Sequence, residues 1–167
     1  MKKRSIIILV LILIVTILIL VVYLFFPFQK ISLFIKYPCP VPKKYCRLGK
    51  IIRIEGNYIG IGYRLPENTS MLAIVDGASR GGRLNFNPKY GEGTYSTIVI
   101  SQNGSTEVDY IYSGKDFQNF GKVAVGEEIG KTTEGAISDF DVNLIIRLRQ
   151  NSPGKSEIIE LTPANFK

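Results

Sequence analysis

Asp141-Val-Asn-Leu-Ile-Ile-Arg-Leu-Arg149 decides the class of fold. Side chains along a strand alternate between faces, so Asp141, Asn143, Ile145, Arg147 and Arg149 share one face and the apolar Val142, Leu144, Ile146 and Leu148 the other. That is a strand with one face toward a core. Working outward, short apolar or alternating runs recur at residues 51–54, 71–75, 97–100, 107–112 and 157–161, separated by Gly, Asn and Pro. Asn103-Gly104 and Ser113-Gly114 punctuate them as hairpin turns. Beyond residue 50 no window keeps apolar positions at helical spacing for a dozen residues. Residues 50–167 therefore read as a single all-β domain, of a size usual for one domain.

The N-terminal residues follow a different pattern. After Met1-Lys-Lys-Arg-Ser5, the 21 residues 6–26 carry only Thr16 and the Tyr23 hydroxyl as polar groups. At ~1.5 Å per residue such a helix spans a hydrocarbon layer of ~30 Å. A cleaved secretory signal would be shorter and end in small residues, whereas this run ends in Leu24-Phe-Phe-Pro-Phe28. It has neither the Gly nor the Glu of a pilin-type leader. The reading is a tail over 1–5, a retained single-pass membrane anchor over 6–28, a neck over 29–49 and the β domain. Four of the eight prolines fall in residues 27–42, and all 16 glycines follow residue 48, so the neck is expected to be stiff and extended.

The positive-inside rule is tied here, because Lys2, Lys3, Arg4 and the amino terminus face Lys30, Lys36, Lys43 and Lys44 beyond the run. Cys39 and Cys46 tip the balance toward an oxidising, extracytoplasmic side for the domain, where the pair either closes a small loop or stays as two thiols.

Composition excludes several chemistries. The chain has no His, so Ser-His-Asp and Cys-His relays and His-containing zinc sites are out of reach, and two Cys cannot complete a zinc tetrahedron. Net charge is +7; without the three N-terminal cations, 18 positive residues stand against 14 negative, or +4. That balance suits an anionic wall or membrane surface, or simple solvation, and no run of five Lys/Arg points to nucleic acid. Arg80-Gly-Gly-Arg83 reads as a Gly-rich turn with exposed cations. Asp139/Asp141 and Glu127/Glu128 make poor glycosidase pairs, which need two carboxylates about 5–9.5 Å apart across a sugar, and the glutamates are expected in a turn. Lys115 and Lys131 lack the flanks of a lipoyl or biotinyl carrier.

Four segments in order resemble the lysostaphin-type zinc endopeptidases of peptidoglycan, whose fold is the duplicated hybrid motif, related to the barrel-sandwich domains. Tyr58-Ile-Gly-Ile-Gly62, leading to Pro66-Glu-Asn-Thr-Ser70, is similar to the family's His-x-Gly-Ile-Asp and Pro-x-Gly-Thr. Met71-Leu-Ala-Ile-Val-Asp-Gly77 resembles its Val-x-Ala-x-x-Asp-Gly. The hairpin from Gly93 to Tyr112 resembles the one carrying Tyr-x-His-Leu. Val123-Ala-Val-Gly-Glu-Glu-Ile-Gly130 is similar to Val-x-x-Gly-x-x-Ile-Gly, with Gly126 and Gly130 bracketing a tight turn, and residues 140–148 stand where the family has His-x-His-Phe-Glu.

The resemblance implies zinc ligands at positions held here by Tyr58, Gly62 and Asn143, and helpers of the zinc-bound water at Tyr110, with Tyr112 a rival, and Asp141. All are substituted, and Asp141 alone is a carboxylate, so neither zinc, another cofactor nor peptidase catalysis is expected. The former groove, with Tyr58, Tyr110, Asp141 and Asn143, would be a polar, aromatic-lined surface that binds a glycan, a wall peptide or a hydrolase, or else one that has decayed. Three functions follow: a non-catalytic wall-binding or hydrolase-regulating relative, a docking component of an envelope transport or secretion complex, and a residual endopeptidase. The span has no small-residue motif, so tight helix dimerisation is not expected.

Overall fold

The computed structural model describes residues 14–16, 35–85, 94–113, 121–137 and 140–167. The chain falls into two units, Met1–Ile31 and Ser32–Lys167. In the first, residues 14–16 are helical; the rest of the anchor expected over 6–28 lies outside the described residues. Among the described residues no helix is long and apolar enough to cross a membrane.

The second unit is antiparallel β. Its strands are β1 (Lys50–Ile54), β2 (Asn57–Tyr63), β3 (Ser70–Leu72), β4 (Gly77–Asn85), β5 (Thr94–Gln102), β6 (Thr106–Tyr112), β7 (Gly121–Val123), β8 (Glu128–Lys131), β9 (Leu144–Ser152) and β10 (Lys155–Ile159). The large sheet runs β1-β2-β9-β6-β5-β4-β7, and β3 pairs with β8 in a small second sheet. The hub is β9, the strand on which the sequence reading began. One edge pairs along its length with β6, from Tyr112↔Leu144 to Thr106↔Gln150. Its other edge is shared, by β2 at Leu144, Ile145 and Ile146 and by β10 from Leu148 to Ser152.

Alternation along these strands gives the sheet two unlike faces. The inner face sends Ile61, Tyr63, Ile98, Ile100, Tyr110 and Ile146, all completely buried, into the main core beneath Met71 and Ile129 of the small sheet. A smaller cluster, with Ile52, Ile111, Ile145, Val142 and Ile137, covers part of the outer face.

The expected strands at 51–54, 97–100, 107–112, 142–148 and 157–161 overlap β1, β5, β6, β9 and β10. In the stretch 71–75 pairing stops at Leu72, after which the buried chain is held from outside: Ala73 N–H donates to Glu127 O (2.9 Å) and Ile74 N–H to Tyr110 Oη (2.9 Å). Arg80-Gly-Gly-Arg83 is strand rather than turn, because β4 pairs with β5 throughout, Gly81 opposite Ile98 and Gly82 opposite Thr97. Gly126 turns at φ 82, whereas Gly130 lies within β8, where a Cβ would meet the tip of the Met71 side chain, Cε, at 2.8 Å.

The described part of the neck expected over 29–49 is packed rather than extended. From residue 35 on it is part of the domain: Val41 is completely buried, Leu72 N–H donates to Pro40 O (2.8 Å), and Tyr37 bridges in parallel to Phe166. Residues Lys43–Leu48 form a 3-10 helix instead of extended chain, and Cys39 is disulfide-bonded to Cys46 across its start.

Tyr110 clamps the two sheets together. Its hydroxyl donates to Leu72 O and accepts from Ile74 N–H, both at 2.9 Å. Tyr110→Phe leaves a half-buried carbonyl and a buried N–H without their partner, at about 2 kcal/mol, or roughly 6–8 °C in thermal midpoint by circular dichroism. A shift under about 2 °C would show that the clamp is not needed.

Candidate functional site

The outer face begins at an irregularity in β2. Its pairing with β1 runs Lys50↔Gly62, Ile51↔Ile61, Ile52↔Gly60 and then steps to Arg53↔Tyr58, leaving Ile59 as the extra residue of a β-bulge. The bulge shifts the alternation, so Ile59 packs on the outer cluster while Tyr58 packs against the main core. Tyr58 Oη accepts a hydrogen bond from Leu161 N–H (3.0 Å), fastening β2 to the C-terminal segment, and its ring lies 5.9 Å from the Arg53 guanidinium. Burial, with a smaller push from Glu160, raises its pKa to about 12 against the opposing pull of the Leu161 N–H and Arg53.

Asn143 sits just before β9 and is completely buried. Its Oδ1 accepts from Leu65 N–H (2.9 Å), and its Nδ2 donates to Leu65 O and Thr133 O (both 2.8 Å). The amide thus ties together two loops that enter the sheet. Asp141 is different: it precedes the strand, at φ 48, with its side chain 79% exposed and 3.7 Å from Arg64 Nε. The two-residue period expected over 141–149 holds from Leu144 onward, where pairing begins.

The four residues singled out in the sequence therefore do not line one surface. Tyr110 and Asn143 are sealed, Tyr58 is half-buried with its hydroxyl bonded, and Asp141 alone faces solvent. Gly62, the remaining position matched to a ligand, has no space for one: a Cβ there would lie 2.7 Å from Ile52 Cγ1 and 3.0 Å from Val142 Cγ1. Zn²⁺ needs about three strong N, O or S donors. These positions present an apolar cover, a saturated amide and a bonded phenol, so the residues do not fit the metal. Among the described residues no three His, Cys, Asp or Glu come together as a possible ligand group.

Beside this apolar patch the outer face carries a charge network that crosses three strands. Asp109 on β6 stands directly opposite Arg147 on β9, and Glu107 directly opposite Arg149. Asp109, with 2% of its side chain exposed, accepts from Arg147 Nε (2.7 Å) and from Arg149 through Nε (2.9 Å) and Nη2 (2.7 Å). Glu107 is shared between Arg149 Nη2 (2.8 Å) and Arg80 Nη2 of β4 (3.2 Å). The fork on Asp109, aided by Glu107 and only partly offset by burial, holds the Arg149 pKa above its usual value. The result is a rigid floor of three guanidinium groups and two carboxylates. Only Arg80, whose side chain is 67% exposed, reaches well into solvent.

The signal for this network stood in the sequence unused. Glu107-Val-Asp109 and Arg147-Leu-Arg149 each put like charges on one strand face, and the two faces neutralise each other only if the strands are neighbours.

Buried phenols add a pH dependence. Tyr58, Tyr63 and Tyr110 are all raised, desolvation being the largest cause in each. The folded chain holds these protons more tightly than the unfolded chain, so stability is intact below about pH 10 and falls as pH rises through the folded values. Alkaline titration is expected to show phenolate absorbance from these residues arriving together with loss of β circular dichroism. Complete, reversible ionisation of all nine tyrosines near pH 10 with the fold intact would contradict this.

No protein-family model matches the sequence, and no curated protein matches it. Among solved structures the chain is similar to the catalytic domain of the antimicrobial peptidase lysostaphin from Staphylococcus simulans, crystallized in the absence of phosphate. The two are 16% identical with a TM-score of 0.45, over 75% of this chain and 92% of that one. A likeness at that identity and score fixes neither fold nor activity.

Proposed function

We propose that this chain is a non-catalytic, peptidase-like protein of the duplicated hybrid motif type, anchored in the membrane by residues 6–28, whose extracytoplasmic domain binds the cell wall or regulates a peptidoglycan hydrolase. The observation that carries the reading is at Gly62. Where the resemblance implies an acidic zinc ligand, Ile52 and Val142 occupy the space that ligand would need. The four ordered segments support the peptidase-like part, and the apolar run and the Cys39–Cys46 disulfide support an anchored domain on an oxidising side.

In this reading the contact surface is the outer face of the large sheet, with Arg80 and Asp141 as its exposed charges. Tyr58, Tyr110 and Asn143 shape that face from behind. Co-sedimentation of the purified full chain with peptidoglycan sacculi tests it. Binding that weakens with salt, without release of wall fragments, is expected. Wall hydrolysis abolished by a chelator would overturn the reading. Co-purification with a transport or secretion complex and no sedimentation with sacculi would replace it with a docking role.

A further inference from the structure

The stretch of chain that follows the apolar run carries one sign of charge. Residues 30–50 contain six Lys/Arg and no Asp or Glu. Within that stretch Lys36, Lys43, Lys44 and Arg47 are exposed in the fold, the last three on the 3-10 helix Lys43–Leu48. Lys36 and Arg47, with Lys167, line an open cleft of about 420 Å³ whose floor includes Pro163, Ala164 and Phe166. Lys36 is held at its rim by a hydrogen bond from Nζ to Ala164 O (2.6 Å).

Two large apolar side chains stand among these cations without burial, Ile35 at 53% and Leu48 at 64% exposure. On the same 3-10 helix as Leu48, Lys44 Nζ lies 4.7 Å from the centroid of the Tyr45 ring. Exposed Ile and Leu tips that neighbour Lys36 and Arg47 in the chain suit a lipid interface. Apolar tips enter the headgroup boundary while Lys and Arg meet the phosphates. The disulfide and the Tyr37–Phe166 bridge hold this surface as a fixed shape.

We propose that this basic, apolar-tipped surface, built on Ile35-Lys36 and the 3-10 helix, docks on an anionic phospholipid bilayer. The inference rests on the anchored reading above for its geometry of encounter. Lys36 follows Phe28 by only eight positions, a tether of at most roughly 28 Å, so the local concentration of headgroups is high. Each cation near an anionic surface then adds to the attraction, which fades within a Debye length.

The test uses the full chain reconstituted into vesicles of phosphatidylcholine alone or with phosphatidylglycerol. Amine-reactive labelling is read residue by residue by mass spectrometry. At low salt, labelling of Lys36, Lys43 and Lys44 is expected to fall at least about three-fold on the anionic vesicles and to recover near 1 M salt. The exposed Lys122 and Lys155 should label equally on both. Equal labelling of Lys36, Lys43 and Lys44 on both vesicles overturns the inference. So does the same protection on phosphatidylcholine with added inorganic phosphate, which would mark a site for free anions. Alkaline carbonate extraction reports separately on the anchor. A chain that is extracted refutes the membrane span, and the labelling comparison still decides the docking surface.

Discussion

Replacing Asn143 with alanine is expected to lower the thermal midpoint of the domain by roughly 15 °C, the largest single effect in the molecule. The side chain is completely buried and serves as both donor and acceptor, satisfying Leu65 N–H, Leu65 O and Thr133 O. Removing it orphans the Leu65 groups in the interior and the Thr133 carbonyl at its half-buried margin, at about 4 kcal/mol for the set. Asn143→Asp separates hydrogen bonding from size. It keeps an acceptor for Leu65 N–H but turns a charged oxygen on two carbonyls, so the loss at pH 7 should exceed that of alanine. The carboxyl would hold its proton more tightly in the fold than unfolded, so stability should be recovered as pH falls toward about 4. Calorimetry of both variants checks this. An alanine variant melting within about 3 °C of the parent would show that Asn143 is free for other work.

The second large effect is expected at Asp109. Asp109→Asn removes the charge that two guanidinium groups share, on a side chain only 2% exposed. Breaking a fully buried pair costs about 3–5 kcal/mol, and the partial exposure of Arg147 and Arg149 places this change near the lower end, or roughly 10 °C. Glu107→Gln should cost less, because one of its two partners, Arg80, is mostly in solvent and the other, Arg149, keeps its fork on Asp109. A double-mutant cycle of Asp109→Asn with Arg149→Met should then show coupling above about 1 kcal/mol. No coupling would mean that the ion network adds nothing beyond its packing.

These effects bear on what the sequence could disclose. Period-two alternation is local and strong where one face is apolar, and it located β1, β5, β6, β9 and β10. It was silent at β4, whose Gly77-Ala-Ser-Arg-Gly-Gly82 stretch has no apolar face and is strand only because β5 pairs with it. Tyr58 was singled out by the resemblance alone, and nothing in Tyr58-Ile-Gly-Ile-Gly62 announces the one-residue bulge that reverses its side chain.

The candidate site was legible to a similar extent. Alignment by motif selected Tyr110 and Asn143 by position in the chain, but burial and bond saturation are tertiary facts that position does not carry. Gly62 was the more informative residue. A glycine in a strand marks a close approach, and here the approaching groups are Ile52 and Val142. The neck was misjudged for a related reason: closely spaced prolines imply stiffness, which suits a packed segment as well as an extended one. Val41 shows the packed case.

The central proposal is that a peptidase-like β domain is kept here without its metal. Elemental analysis of the purified full chain, incubated with zinc and then desalted, tests it most directly. Less than about a tenth of an equivalent is predicted, because a covered glycine, a saturated amide and a bonded phenol cannot hold the ion. One tightly held equivalent of zinc would contradict the account.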